Sequence, residues 1–141
     1  MAHPKILVIE DNPSEVFLLR RVLANAMKGA HFEIENWEDG EDALHFIRGH
    51  WEKRHEFQPC IILLDLHLPK FDGIEVLRAI QLDSALTQIP VMVLTNAASP
   101  KEQEEVQKMG LVCRTKPKDL AEFAKLADDL IAICNPPAVG A

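Results

Sequence analysis

Short apolar runs alternate with amphipathic stretches along this chain, regularly enough to read as five strands separated by helices. The strand-like runs are Lys5 to Ile9, His31 to Asn36, Cys60 to Leu64, Val91 to Leu94 and Leu111 to Thr115. The first helix carries a start signal: Asn12 as cap, Pro13 at the first helical position and Glu15 three residues after the cap. Val16, Leu19, Leu23, Ala26 and Met27 follow at helical spacing, and Gly29 can stop the helix. Glu41 to Arg48 reads as a second helix through Ala43, Leu44 and Ile47, and Ile74, Leu77 and Ile80 mark a third that ends before Pro90. The fourth, Ser99 to Met109, is polar nearly all round, with only Val106 and Met109 as an apolar edge, so packing should hold it weakly and leave it able to move. In the last helix Leu120, Phe123, Ala127, Leu130, Ile131 and Cys134 form a broad stripe. Leu126 and Ile133 fall to one side, a surplus that suits a partner.

Strict alternation of strands and helices implies a parallel sheet covered on both faces by right-handed crossovers, an α/β fold of three layers. With 141 residues, 48% hydrophobic and 26% charged, the chain has one domain's worth of ordinary globular composition. We expect one compact unit acting through something else, and disorder and collagen-like structure are excluded. A net charge of -7, from 15 Lys plus Arg against 22 Asp plus Glu, argues against nucleic acid as a partner, because phosphate-backbone binding needs a basic surface. The longest apolar runs fall far short of the ~20 residues of a membrane span, and the start lacks a signal-peptide pattern, so no membrane association and a cytoplasmic location are expected.

Cys60, Cys113 and Cys134 are an odd count without CxxC spacing, so neither a disulfide framework nor a zinc site is expected, and the three read as reduced and mostly buried. His50-Trp51-Glu52-Lys53-Arg54-His55 reads as a polar surface loop. Trp37 and Trp51 fit either anchors for a partner or covers for the core edges.

In an open parallel sheet, sites form at the carboxyl ends of the strands. Glu10 and Asp11 follow the first strand, Asp65 the third, Thr95 the fourth and Lys116-Pro117 the fifth. Two unit charges ~4 Å apart repel by roughly 4 kcal/mol at an effective dielectric of ~20, so three clustered acids imply a divalent cation. Hard oxygen ligands without histidine or thiolate favour magnesium or manganese. A lysine and a threonine hydroxyl suit a phosphoryl group, and Asp65 is a candidate covalent acceptor, since carboxylates form acyl phosphates.

Glu10-Asp11, Leu64-Asp65-Leu66-His67-Leu68-Pro69-Lys70-Phe71-Asp72-Gly73, Leu94-Thr95-Asn96-Ala97 and Thr115-Lys116-Pro117 resemble the receiver domain of bacterial response regulators, in order and in spacing. The resemblance runs from Lys5 to about Cys134, and places the receiver at 1–135 with a short tail at 136–141. Within the family, Ile9-Glu10-Asp11-Asn12-Pro13-Ser14-Glu15-Val16-Phe17-Leu18 and Leu68-Pro69-Lys70-Phe71-Asp72-Gly73 look like the stand-alone receivers that serve phytochrome-type histidine kinases. The resemblance implies a flavodoxin-like (βα)5 fold with strand order 2-1-3-4-5. It implies that Asp65 accepts a phosphoryl group from a partner kinase's phosphohistidine, in a two-component phosphorelay. Magnesium would be held by Glu10, Asp11, Asp65 and the backbone carbonyl of His67, and the phosphoryl oxygens by Thr95 and Lys116. It also implies a cis Lys116–Pro117 bond and a protein that is not an enzyme.

Two departures matter. The family places Tyr or Phe three residues before the lysine, turning inward when the threonine engages phosphate, and here that position is Cys113. Either the polar fourth helix carries the switch, or activation changes little; Cys113 could also be a redox-sensitive replacement. The positions that tune phosphate lifetime are His67 and Ala97, and because alanine cannot orient an attacking water, slow autodephosphorylation is expected. A side chain of His67 pointing out of the loop is expected, and Asp72-Gly73 reads as the turn that starts the third helix. The apolar surplus of the last helix predicts a homodimer through that region. Competing readings are a phosphorylation-independent adaptor and a magnesium phosphohydrolase of the haloacid dehalogenase type. The latter wants an acid or threonine where His67 stands. A nucleotide switch lacks a GxxxxGK[ST] loop, and a flavodoxin would want a Ser/Thr/Gly-rich loop where Asp11-Asn12-Pro13 stands.

Overall fold

The computed structural model describes residues 5–27, 32–49, 59–68, 72–83 and 86–134. Strands β1 (Lys5–Ile9), β2 (Glu33–Trp37), β3 (Ile61–Asp65), β4 (Val91–Thr95) and β5 (Cys113–Thr115) alternate with helices α1 (Pro13–Met27), α2 (Gly40–Gly49), α3 (Gly73–Leu82), α4 (Pro100–Lys108) and α5 (Leu120–Cys134). All strand pairs are parallel and the order is β2-β1-β3-β4-β5, as the family resemblance implied.

The period of two along each strand divides the core. From β1 and β3, Leu7, Ile9, Ile62 and Leu64 pack with α2, α3 and Val106 of α4 on one face. Ile6, Val8, Ile61 and Leu63 pack with α1 and α5 on the other. Both central strands are therefore apolar at nearly every position, as a sheet covered on two sides requires. The edge strand β2 alternates instead, with Glu33 and Glu35 exposed and Ile34 and Asn36 half-buried, until Trp37 at its end enters the core. That decides Trp37 as a core residue, while Trp51, the His50–His55 loop, Gly29 and the 136–141 tail lie outside the described residues.

Local chemistry sets the helix starts. Asn12 Oδ1 accepts the Ser14 amide at 2.9 Å, confirming the cap read before α1. Asp72 caps α3 by accepting the Ile74 amide at 3.0 Å. Ser99 and Glu102 form a reciprocal capping box at α4. As the polar pattern predicted, Val106 is the sole buried residue of α4.

Three expectations are corrected. Cys60 and Cys134 form a disulfide across 74 positions of sequence, with Cα atoms 5.3 Å apart, so these two are not reduced thiols. Cys60 lies just before β3 and Cys134 ends α5, on the same side of the sheet. Because α5 returns antiparallel to the strands, its end meets a strand start, a proximity that residue spacing does not reveal. In α5, Leu126 is 3% exposed and belongs to the core, whereas Leu120 and Ile133 are the exposed pair. Finally, no described peptide bond is cis, so Lys116–Pro117 is trans. The lysine reaches the strand ends without it, because the Lys116 amide donates to the Thr95 carbonyl and prolongs the β4–β5 alignment.

Closing so long a loop constrains the unfolded chain. Reduction, or Cys60→Ser with Cys134→Ser, should lower unfolding free energy by about 2–4 kcal/mol, measured by urea denaturation with and without a phosphine reductant. Superimposable curves would refute the bridge.

Candidate functional site at the strand carboxyl ends

The parallel register brings one end of every central strand to the same edge of the sheet. Asp65 is the last residue of β3 and Thr95 the last of β4, and Glu10 and Lys116 directly follow β1 and β5. Glu10, Asp65, Thr95 and Lys116 are all buried, an unusual concentration of polar side chains for a domain interior. Asp11 is exposed at the rim, Ala97 is exposed in the β4–α4 connection, and Cys113 is half-buried at the start of β5.

Lys116 occupies the centre. Its Nζ donates to Asp65 Oδ2 at 3.0 Å, to Glu15 Oε2 at 2.9 Å and to Glu10 Oε1. The other Asp65 oxygen, Oδ1, accepts the His67 amide at 3.0 Å. Glu10 Oε2 accepts the Asp11 amide at 2.9 Å, which fixes the acid pair's orientation at the end of β1. The Asn36 side chain on β2 donates to the Val8 and Glu10 carbonyls and pins this end of β1 to the edge strand.

Three carboxylates bond one ammonium and a fourth, Asp11, stands beside Glu10 and Asp65, so negative charge is in excess. Burial is the main reason the Glu10 carboxyl is pushed up to about 9; Glu15 and Asp65 act in the same direction, and Lys116 opposes them. Burial also works against the Lys116 charge, but its three carboxylate partners outweigh that and hold the ammonium above the ordinary lysine range. Glu15 stays below the ordinary carboxylate range because its bonds to Glu10 and Lys116 overcome its own burial. One ligand oxygen from each of Glu10, Asp11 and Asp65 lies within 4.8 Å of the others. A hard, oxygen-only donor set with surplus negative charge fits a divalent cation such as Mg2+ or Mn2+.

Two partners escaped the reading of the residues. Glu15 reads in the sequence only as part of the start of α1, yet from the first turn of that helix it reaches Lys116; its place just after the Glu10-Asp11 pair is the available signal. The His67 side chain is half exposed, as expected, but not idle. Its Nδ1 lies 3.3 Å from Thr95 Oγ1, and its Nε2 lies 3.2 Å from Glu102 Oε2. Burial, aided by the Glu102 charge, pushes the Cys113 thiol up, the direction that disfavours a thiolate.

The loop after β3 depends on a glycine. A Cβ on Gly73 would lie 2.5 Å from Leu66 Cα and 2.7 Å from the Asp65 and Leu66 carbonyl oxygens, and the Gly73 amide donates to the Leu66 carbonyl at 2.9 Å. No side chain fits where α3 starts against the backbone that carries Asp65.

The raised Glu10 pKa has a definite sign in stability. Between about pH 5 and pH 8 the folded protein retains a proton on Glu10 that the unfolded chain has lost, so this group makes stability fall as pH rises. Without divalent cation, Glu10→Gln should flatten that decline in urea-unfolding curves taken across the range, and an unchanged slope would contradict the assignment.

Residues 6–127 match the response regulator receiver domain family. Response regulator Rcp1 of Synechocystis sp. is 32% identical over 126 residues, 89% of this chain and 84% of that protein. A probable methanogenesis regulatory protein of Methanothrix harundinacea, FilR2, is 42% identical over 94 residues, 67% of this chain, and the match spans 59% of that protein's length. Among solved structures, the phosphorylated cyanobacterial phytochrome response regulator RcpA superposes with a TM-score of 0.81 at 32% identity, covering 97% of each chain. The Mn2+-bound form of Rcp1 superposes with a TM-score of 0.77 at 29% identity, covering 98% of this chain and 99% of that one. Receiver domains are generally signalling proteins rather than enzymes, they bind divalent metal and they pair with histidine kinases. Sequence, sheet order and site agree: this chain belongs to the response regulator receiver domain family, and its relatives include phytochrome response regulators.

Proposed function

We propose that this protein is a single-domain response regulator that takes a phosphoryl group onto Asp65 from a histidine kinase and signals through protein contacts. The observation that carries the reading is the state of Asp65: a buried carboxylate at a strand end, one oxygen held by an amide and the other by the Lys116 ammonium, beside two further acids. Attack by an Asp65 oxygen on phosphohistidine forms the acyl phosphate and returns the electron pair to the imidazole nitrogen. Glu10, Asp11, Asp65 and the His67 carbonyl would hold Mg2+, or Mn2+, which supplies positive charge against the transferred oxygens. With that charge beside Glu10, Lys116 is free to exchange a carboxylate for a phosphoryl oxygen, and the Thr95 hydroxyl donates to another. The phytochrome response regulators among its relatives support a phytochrome-type kinase as phosphodonor in the cytoplasm.

The receiver unit spans 1–135, with 136–141 as a tail, and Leu120 and Ile133, both exposed on α5, support a homodimer through that helix. The net charge of -7 supports protein rather than nucleic acid as partner. Cys113 favours one second reading, an adaptor whose contacts ignore phosphorylation, because the inward-turning aromatic is missing.

Acetyl phosphate with Mg2+ should add a single acid-labile phosphoryl group to wild type and none to Asp65→Asn, read by intact mass; no adduct on wild type would leave the adaptor. With Ala97 unable to orient water, the adduct should outlast seconds without a phosphatase. Light scattering should report a dimer at tens of micromolar that Leu120→Asp with Ile133→Asp converts to monomer, and a wild-type monomer with and without phosphate would remove the dimer.

A further inference from the structure

His67 links three elements through side-chain hydrogen bonds. It follows β3, its Nδ1 faces the hydroxyl of Thr95 at the end of β4, and its Nε2 faces Glu102 in the first turn of α4. Glu102 is itself bound on both sides: its Oε1 accepts the Ser99 amide at 2.9 Å, and its own amide donates to Ser99 Oγ at 3.1 Å. One carboxylate thus serves both the cap of α4, through Oε1, and His67, whose Nε2 lies 3.3 Å from Oε1 and 3.2 Å from Oε2. Thr95 also borders an open groove of about 340 Å³, lined by Cys113 and neighbours such as Asn96, Gln103, Arg114 and Thr115, with no aromatic ring among its lining side chains.

Hydrogen-bond inventory gives this arrangement a direction. A carboxylate only accepts, so in the neutral ring the hydrogen sits on Nε2 and Nδ1 is left as an acceptor. Thr95 then donates its one hydroxyl hydrogen to Nδ1. A phosphoryl oxygen on Asp65 also only accepts, so it competes for that same hydrogen. Thr95 serves one acceptor or the other.

We propose that His67 is the positioning residue that carries the state of Asp65 to α4: phosphorylation draws the Thr95 hydroxyl away from Nδ1, and the released imidazole changes its hold on Glu102 and the α4 cap. This rests on the phosphoacceptor reading, and deepens it by giving the regulator an output route that needs no aromatic at Cys113. α4 is built to respond, since Val106 is its only buried residue and the remaining ties are polar.

The test is hydrogen exchange of the peptide spanning Ser99 to Gln103, with and without acetyl phosphate and Mg2+, read on the phosphorylated population selected by intact mass. In wild type, phosphorylation should speed exchange there several-fold. In His67→Ala that difference should vanish, with exchange the same in both states. Ser99→Ala, which weakens the cap without touching His67, should exchange faster in both states yet still respond. An equal phosphorylation-dependent rise in His67→Ala overturns the proposal, whereas absence of any adduct on wild type overturns the phosphoacceptor reading itself. Should His67→Ala take no phosphate or fail to fold, imidazole nitrogen NMR of the intact protein decides. A bare Nδ1 whose resonance moves on phosphorylation supports the proposal, and a hydrogen on Nδ1 or an unmoved resonance overturns it.

Discussion

The buried ammonium of Lys116 is the interaction on which the rest of the site depends. Its side chain is 9% exposed, and a charge taken that far from water is costly unless it is paired and hydrogen-bonded. Its partners come from the end of β1, the first turns of α1 and the end of β3, so satisfying one amine fixes three elements against the segment after β5. The match is complete for the ammonium but not for the acids. One positive charge bonded to three carboxylates, with Asp11 beside them, leaves the group under-neutralised, and the Glu10 carboxyl is raised chiefly by burial and further by its acidic neighbours. A site in that condition favours added positive charge, which under the proposed function would make the lysine available to an anion. Structural anchoring and the proposed phosphoryl chemistry would then draw on one charge imbalance.

The backbone sets where that imbalance sits. Parallel pairing puts Ile9 opposite Leu64 and Asp65 opposite Leu94, so Glu10 and Asp65 emerge at one level without any adjustment of side chains. Gly73 lets α3 begin in contact with the Leu66 backbone, and an antiparallel bridge between His67 and Asp72 closes the turn. The loop that carries His67 is therefore held from both ends by main-chain bonds.

Much of this was legible in the residues and some was not, for identifiable reasons. Ile6 to Ile9 and Cys60 to Leu64 read as strands because burial on both faces leaves an uninterrupted apolar run. The cap at Asn12 and the turn at Asp72-Gly73 are local and were read correctly. Glu10, Asp11, Asp65, Thr95 and Lys116 were found because a parallel sheet delivers strand ends to one edge. What failed were relations between distant segments. The Cys60–Cys134 bridge joins a strand start to a helix end, and neither flank announces it. Leu126 was placed outside the stripe because the angular width of a helix's buried face depends on how α1 and the sheet embrace it. The trans Lys116–Pro117 bond corrects an inference taken from resemblance alone. Glu15 and the His67 side chain showed only what their own elements needed, not what faced them.

The weak packing of α4 acquires a meaning from where its attachments lie. Fully burying a valine side chain stabilises by about 1.5–3 kcal/mol, while exposed ion pairs contribute about 0–1 kcal/mol each. Val106 therefore holds the last turn of the helix, and the contact of Arg78 with Glu105 adds little. The capping box and the His67 contact, by contrast, are concentrated at the end of α4 that adjoins the strand edge. A helix fastened by a broad apolar face would answer only to forces that unpack the core. One fastened at its first turn by hydrogen bonds answers to the rearrangement of a single hydroxyl, an energy scale that the making or loss of one charged group at Asp65 can reach.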